Sequence, residues 1–251
     1  MRVAVAGGTG LVGQMVVRAL TEDGHEPVVI ARSRGVDMVS GDGLDAALAG
    51  AEAVVDVSNV TTTRRSVSVR FFEAATANLL RAEERAGVQH HVVLSICGVD
   101  RVDLGYYEGK RRQEALAIAG PVPTTVLRAA QFHEFAEQML AQSRGPFAIV
   151  PKMRIRPVAA SEVAEALAAL ATGEPDTTTP VLVGPQEQEL LDMARRLVER
   201  RGSRRAVVAV RLPGRGGRAM AGGALLPTGP FASGRQTFDE WLADQVPQAA
   251  Q

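Results

Sequence analysis

"VAVAGGTGLVGQMVVRAL", residues 3–20, passes from an apolar strand pattern into a helical one through four glycines within seven positions, at 7, 8, 10 and 13. Gly7, Gly10 and Gly13 make G-x-x-G-x-x-G between the strand and the helix. In that setting the first glycine permits a tight turn, the middle one lets backbone N–H groups approach a pyrophosphate, and the last lets helix and strand pack closely. The positive end of the helix then faces the phosphates. The stretch predicts a dinucleotide site and, with it, an α/β fold on a parallel sheet.

Working outward, similar runs of β-branched and small apolar residues recur at 27–31, 53–57, 91–95 and 124–128, with helical patterns at 11–23, 66–87 and 108–119. A further short strand is expected near 37–39. Apolar runs without a period of two suit strands buried on both faces, as βαβ crossovers bury them. The expected architecture is a doubly wound parallel sheet. After about residue 145 the pattern loosens into "FAIVP", a helix from Ser161, "VLVG", a helix near 188–200 and the strand "AVVAV". This divides the chain into a dinucleotide-binding core over 1–145 and, mainly over 146–251, a small α/β substrate lobe partly interleaved with it as one structural unit. Ser161 and Glu162 read as the N-cap and first-turn acid of the lobe's first helix.

The chain has 251 residues, 46% of them hydrophobic, enough for a sizeable core. Its 28 basic and 28 acidic residues cancel, so no global field favours nucleic acid or an anionic membrane, and any charged partner must be met locally. No apolar stretch reaches ~18 residues and no signal-peptide pattern opens the chain, so a cytoplasmic protein without a membrane partner is expected. Cys97 is the sole cysteine, which excludes an internal disulfide or a thiolate metal cluster. His90 and His91 are adjacent on a strand, point to opposite faces and cannot chelate one metal, so none is expected. Nine arginines between 195 and 218, opposed by Glu199, come without a recognition motif or stacking aromatics. They read as a helix face and a loop rather than a nucleic-acid site.

The end of the second strand decides the cofactor. A NAD site carries an acid about 20 residues after the glycines, whereas a 2′-phosphate calls for arginine. Here the strand ends in Arg32-Ser33-Arg34, with no acid before Asp37. Guanidinium groups grip a phosphate bidentately, and Ser33 or a backbone N–H adds a further donor. NADP(H) is the expected cofactor.

Taken together, the glycine motif, "GDG" at 41–43, "DVSN" at 56–59, "LSICG" at 94–98 and "YYEGK" at 106–110 resemble the short-chain dehydrogenase/reductase superfamily. "LRAAQFHEF" at 127–135 is similar to its atypical NmrA-like branch. The resemblance implies a Rossmann fold, a nicotinamide cofactor and a substrate cleft roofed by the C-terminal lobe. It places Thr9, Leu11 and Val12 with the glycines at the phosphates, Asp42 and Gly43 beside the adenine, and Val57, Ser58 and Asn59 along the adenosine. Gln131, Phe132 and His133 would enter the nicotinamide or substrate pocket, although His133 also reads as a helix-surface residue.

The chemistry falls to Tyr106 and Lys110, which share a helix face at i and i+4. A neighbouring ammonium favours phenolate, so Lys110 should lower the phenol toward the working range. The phenol would protonate a carbonyl oxygen as hydride arrives, and Lys110 would also hold the nicotinamide ribose. Lys110 is one of two lysines against 26 arginines. Tyr107 is the rival phenol, at i+3. Ser95 matches the family's third catalytic position, but Ile96 follows where many relatives carry a second serine. Two functions result: an NADPH-dependent reductase of a small carbonyl, quinone or conjugated compound, and a non-catalytic NADP(H)-binding redox sensor. No motif names the substrate, and the oligomeric state is left open.

Overall fold

Strand β1 (Arg2–Ala6) buries Val3, Ala4, Val5 and Ala6 completely, so both of its faces lie inside. It leads through the glycine turn into α1 (Leu11–Glu22), then β2 (Glu26–Ile30), a 3-10 turn (Arg32–Arg34), α2 (Leu44–Leu48) and β3 (Ala53–Asp56). The chain continues through α3 (Arg65–Ala86), β4 (His90–Ile96), α4 (Gly105–Ile118), β5 (Thr124–Ala129) and α5 (Phe135–Ala141). Beyond these come β6 (Phe147–Pro151), β7 (Arg154–Ile155), α6 (Ala160–Thr172), β8 (Val181–Val183), β9 (Gln188–Glu189) and α7 (Leu190–Arg200). Last are β10 (Ala206–Val210), α8 (Gly214–Ala221), β11 (Ala232–Ser233) and α9 (Phe238–Ala243). This computed structural model describes residues 1–143, 145–176 and 178–245.

Seven strands form one parallel sheet in the order β11-β8-β5-β4-β3-β1-β2. Val5 sits in register between Val29 of β2 and Val55 of β3. One apolar layer joins the sheet to α1 and α6 through Val16, Leu20, Val163 and Leu167. The opposite layer joins it to α2 and α3 through Leu44, Leu48 and Leu79. A sheet covered on both faces explains why its strands read as unbroken apolar runs.

The strand expected at 37–39 does not form, and β2 is the sheet's edge. Asp37 Oδ1 accepts the N–H of Val39 at 2.7 Å, and Asn78 Nδ2 on α3 donates to the carbonyls of Met38 and Val39 at 2.9 and 2.8 Å. These side-chain bonds satisfy backbone that a neighbouring strand would otherwise have to pair, and they hold the segment as a loop.

The lobe has its own core, in which Met153, Leu190, Met193, Leu197, Phe238 and Trp241 meet under the parallel pair β6 and β10 and the antiparallel pair β7 and β9. The main sheet nevertheless takes α6, β8 and β11 from beyond residue 145. The Ser161 expectation is corrected: α6 is capped at Ala159, one residue before it begins. Ser161 lies inside the first turn, and the Glu162 carboxylate accepts the N–H of Arg235 at 2.6 Å, fastening the segment that follows β11.

Candidate functional site

Strand β1 lies between β2 and β3, so the sheet order reverses there, the position at whose carboxyl-end side open α/β sheets take ligands. Each glycine has a distinct job there. Gly7 adopts φ +81°, donates its N–H to the Ile30 carbonyl at 3.0 Å, and a Cβ there would meet the Val57 carbonyl oxygen at 2.9 Å. At Gly13 a Cβ would lie 2.2 Å from the Gly7 oxygen, so this glycine lets α1 close on the turn. At Gly10 a Cβ would meet only the Gly7 oxygen, at 3.3 Å, and otherwise enters open space. Gly10 is also the N-cap of α1, with no side chain on the first turn's N–H groups and no acid in that turn. An uncapped helix start behind an open glycine fits an anionic phosphate. Thr9 and Leu11 are exposed beside this opening, whereas the Val12 side chain is buried, so only its backbone can take part.

Arg32, Ser33 and Arg34 form the exposed 3-10 turn directly after β2, beside the Gly7 turn. Asp42 accepts the Ser40 hydroxyl through Oδ2 at 2.8 Å, and Gly43, at φ +78°, starts α2 against Gly35. The 57–59 segment forms the opposite wall: Val57 N–H bonds the Ala6 carbonyl at 2.9 Å, Ser58 is buried with its Oγ unpartnered among the described residues, and Asn59 is exposed.

Helix α4 starts at Gly105, three residues before the expected 108, so Tyr106 lies in its first turn. Gly105 and Gly109 let α4 approach α3 so closely that a Cβ at Gly109 would lie 2.1 Å from Ser68 Oγ. That contact sets Tyr106 beside Phe72, ring centroids 6.1 Å apart. Its hydroxyl donates to Asn59 Oδ1 at 2.8 Å. Burial pushes the Tyr106 phenol up to about 12, and this corrects the expectation that Lys110 lowers it. The Lys110 ammonium is turned inward, donating to the Leu94 carbonyl at 2.5 Å and to Gln113 Oε1. Tyr107 belongs to the lobe's core, and burial raises its phenol further. Ser95, on β4, is 2% exposed with its Oγ unpartnered among the described residues.

Gln131 and Phe132 follow β5, where the Gln131 carbonyl accepts the Val158 N–H at 3.0 Å and Phe132 bridges to Val158. His133 is fully buried, which overturns the helix-surface reading. Its Nε2 donates to the Gln236 carbonyl at 3.1 Å, and its ring lies 5.7 and 6.0 Å from those of Phe238 and Trp241. The adjacent histidines diverge: His90 Nε2 meets Thr125 Oγ1 at 2.8 Å, and His91 Nδ1 meets Glu83 at 2.8 Å.

A family described as NAD(P)H-binding matches residues 7–174, which span the glycine turn, the 57–59 wall and the Tyr106–Lys110 helix. The chain belongs to this family. The atypical short-chain dehydrogenase/reductase resemblance agrees with it. The photosystem II assembly factor Ycf39 of Synechocystis is 34% identical over 111 residues, 38% of this chain, and the chain spans about a third (34%) of that relative's length. Among solved structures, MoeE5 in complex with UDP-glucuronic acid and NAD superposes with a TM-score of 0.74 at 18% identity, covering 98% of this chain and 97% of that one. The Citrobacter sp. triphenylmethane reductase complexed with NADP(H) gives 0.68 at 19%, covering 91% and 93%. These structures share the fold of the NAD(P)H-binding chain. Among the described residues, no helix is long and apolar enough to cross a membrane.

Two residues of the site escaped the sequence reading. Gln113 Nε2 donates to Asp56 Oδ2 at 2.8 Å, and Asp56 Oδ1 accepts the Ser58 N–H at 2.9 Å. Gln113 thereby couples Lys110 to the 57–59 wall. The available signals were its i+3 spacing from Lys110 and the acid that opens "DVSN".

Burial lowers the Lys110 ammonium to about 8, against the pull of Asp56 and Glu114. The unfolded lysine titrates near 10.4, so between these values the unfolded chain binds the extra proton and stability rises with pH. Relative to Lys110→Met, the parent should gain roughly 1 kcal/mol per pH unit from about pH 8 to about pH 10 in urea unfolding. A difference that stays flat across this window refutes the depressed value.

Proposed function

We propose that this NAD(P)H-binding chain is an NADPH-dependent reductase of a small carbonyl, quinone or conjugated compound, acting in the cytoplasm. The observation that carries the reading is the Tyr106–Asn59 hydrogen bond of 2.8 Å, which ties a proton-bearing phenol to the wall that packs against Gly7. When bound, NADPH supplies a hydride. Tyr106 then gives its proton to the substrate oxygen, and its raised value keeps it protonated at neutral pH. Ser95, a buried hydroxyl without a partner among the described residues, is a donor for orienting that oxygen. Lys110 supports Asp56 and the 57–59 wall through Gln113 in the chain by itself, so a hold on the nicotinamide ribose would require it to leave Gln113. The Gly10 opening and the start of α1 receive the pyrophosphate. The reductase complexed with NADP(H) among the structural neighbours supports this reading by analogy.

The preference for NADPH rests on Arg32 and Arg34. Replacing both with serine should weaken NADPH binding by about 10²-fold or more and leave NADH within a few-fold, since each charge-assisted phosphate contact contributes roughly 1.5–3 kcal/mol. Titration calorimetry with both nucleotides measures the split. Equal losses would reject the assignment.

A second reading, an NADP(H)-binding sensor without turnover, draws on the inward-turned Lys110 and on a relative described as an assembly factor. Mixing the protein with NADPH and a panel of quinones and ketones separates the two. Oxidation of NADPH with any of them supports the reductase; tight binding with none oxidised supports the sensor.

A further inference from the structure

The parallel pair β6 and β10 of the lobe is apolar on both sides. Ala148, Val150 and Val207 point into the lobe's core. The alternate positions should then be polar, as on a half-solvated sheet. They are Phe147, Ile149, Val208 and Val210, exposed by 61%, 56%, 47% and 37%. The parallel register sets Ile149 against Val208 and Val210 against Pro151, so these side chains form one continuous face. Isolated exposed apolar residues need no explanation, but a contiguous face of them marks an interaction site.

Cations stand at both ends of this face. Arg204 precedes β10, while Arg211 and Lys152 follow β10 and β6, and all three are exposed. They belong to the stretch from 195 to 218 with nine arginines and one acid, Glu199, and to its neighbourhood. Several of those arginines serve the fold: Arg196 pairs with Asp239, Arg201 with Glu137, and Arg205 donates to the carbonyls of Leu140, Ser143 and Gly145. Arg204 and Arg211, by contrast, flank β10 and are exposed. A chain that is neutral as a whole thus carries cations at both ends of an apolar face.

We propose that the outer face of β6 and β10 docks the protein on an anionic membrane surface. Apolar side chains entering the headgroup boundary and cations meeting acidic lipids are the two signals that peripheral attachment combines. A second copy on the same face would bring two sets of cations together, which opposes that pairing. A protein partner needs hydrogen bonds to fix its register, and none of the outward side chains on these strands offers one. Global neutrality gave no reason to expect a membrane; the charge is met locally.

Flotation of the full chain with vesicles tests this, using phosphatidylcholine alone and an equal mixture with phosphatidylglycerol. The parent should float with the acidic vesicles and not with the neutral ones, and should be released by high salt. Phe147→Ser with Ile149→Ser, and separately Arg204→Ser with Arg211→Ser, should each weaken flotation about tenfold or more while keeping the parent's melting temperature and NADPH affinity. Failure to float with acidic vesicles overturns the proposal, as does equal flotation with neutral ones. Retention on immobilised polyglutamate without vesicle binding reassigns the face to an acidic protein. A parent that sediments as a dimer, dissociated by the Phe147 and Ile149 changes, reassigns it to a second copy.

Discussion

Tyr106→Phe should bind NADPH like the parent and reduce substrate about 10²–10⁴-fold more slowly, the range for a lost general acid. The substitution removes one oxygen. The ring keeps its contacts with Phe72 and Tyr107, so the fold should survive. What disappears is the proton and the bond to Asn59 Oδ1. The pH profile adds an independent reading. With the phenol pushed up to about 12, its titration should not limit the rate below the ordinary tyrosine value near 10. An ammonium beside the phenol would have given a limb below that value. Measuring kcat from about pH 6 to about pH 10 distinguishes the cases. Undiminished turnover in the Phe variant would remove Tyr106 as the acid; a limb well below 10 that vanishes in it would show that bound cofactor or substrate reverses the effect of burial.

Gly10→Val should abolish binding of NADPH and NADH alike, a loss of about 10²-fold or more, while unfolding stays cooperative. A Cβ at Gly10 approaches only the Gly7 oxygen, at 3.3 Å, so the turn needs to give by only a few tenths of an ångström, and the remaining methyls fill the opening at the start of α1. Gly13→Val makes the contrast. There a Cβ would lie 2.2 Å from the same oxygen, and the helix would have to move away from the turn. That variant should lose stability as well as binding, by about 1–3 kcal/mol or more for overpacking. Nucleotide titration beside urea unfolding separates the two glycines. Normal binding by Gly10→Val would place the phosphates elsewhere.

The parts of this site that were legible in the sequence are those whose cause is local. A glycine turn between strand and helix announces its backbone demands within seven residues. Arg32 to Arg34 directly after β2 are equally local. Residues 37–39 misled because a short apolar run looks the same in a strand and in a loop, and the side chain that decides it, Asn78, lies about 40 residues away. Lys110 shows the same limit. Its spacing from Tyr106 places both on one helix, but its direction is set by Leu94 and Gln113, and the link to Asp56 spans 57 residues. Burial of the phenol depends on how closely α3 and α4 approach, which Gly105 and Gly109 permit but do not announce.

The alternation of the chain between sheet and lobe bears on how the cleft can open. After β5 the backbone enters the lobe at α5, returns to the sheet at α6 and β8, leaves again at β9, returns at β11 and leaves once more at α9. Five connections after β5, besides the segment from β4 into α4 whose Val99, Val102 and Tyr107 pack into the lobe, therefore join the two cores where a simple hinge would have one or two. Cutting near residue 145 would strip β5 of its neighbour β8 and α1 of its neighbour α6. A lobe stitched in this way cannot swing aside as a free lid. On the proposed reductase reading, substrate enters by small adjustments of the connections themselves, and a change at any one of them is felt in both cores.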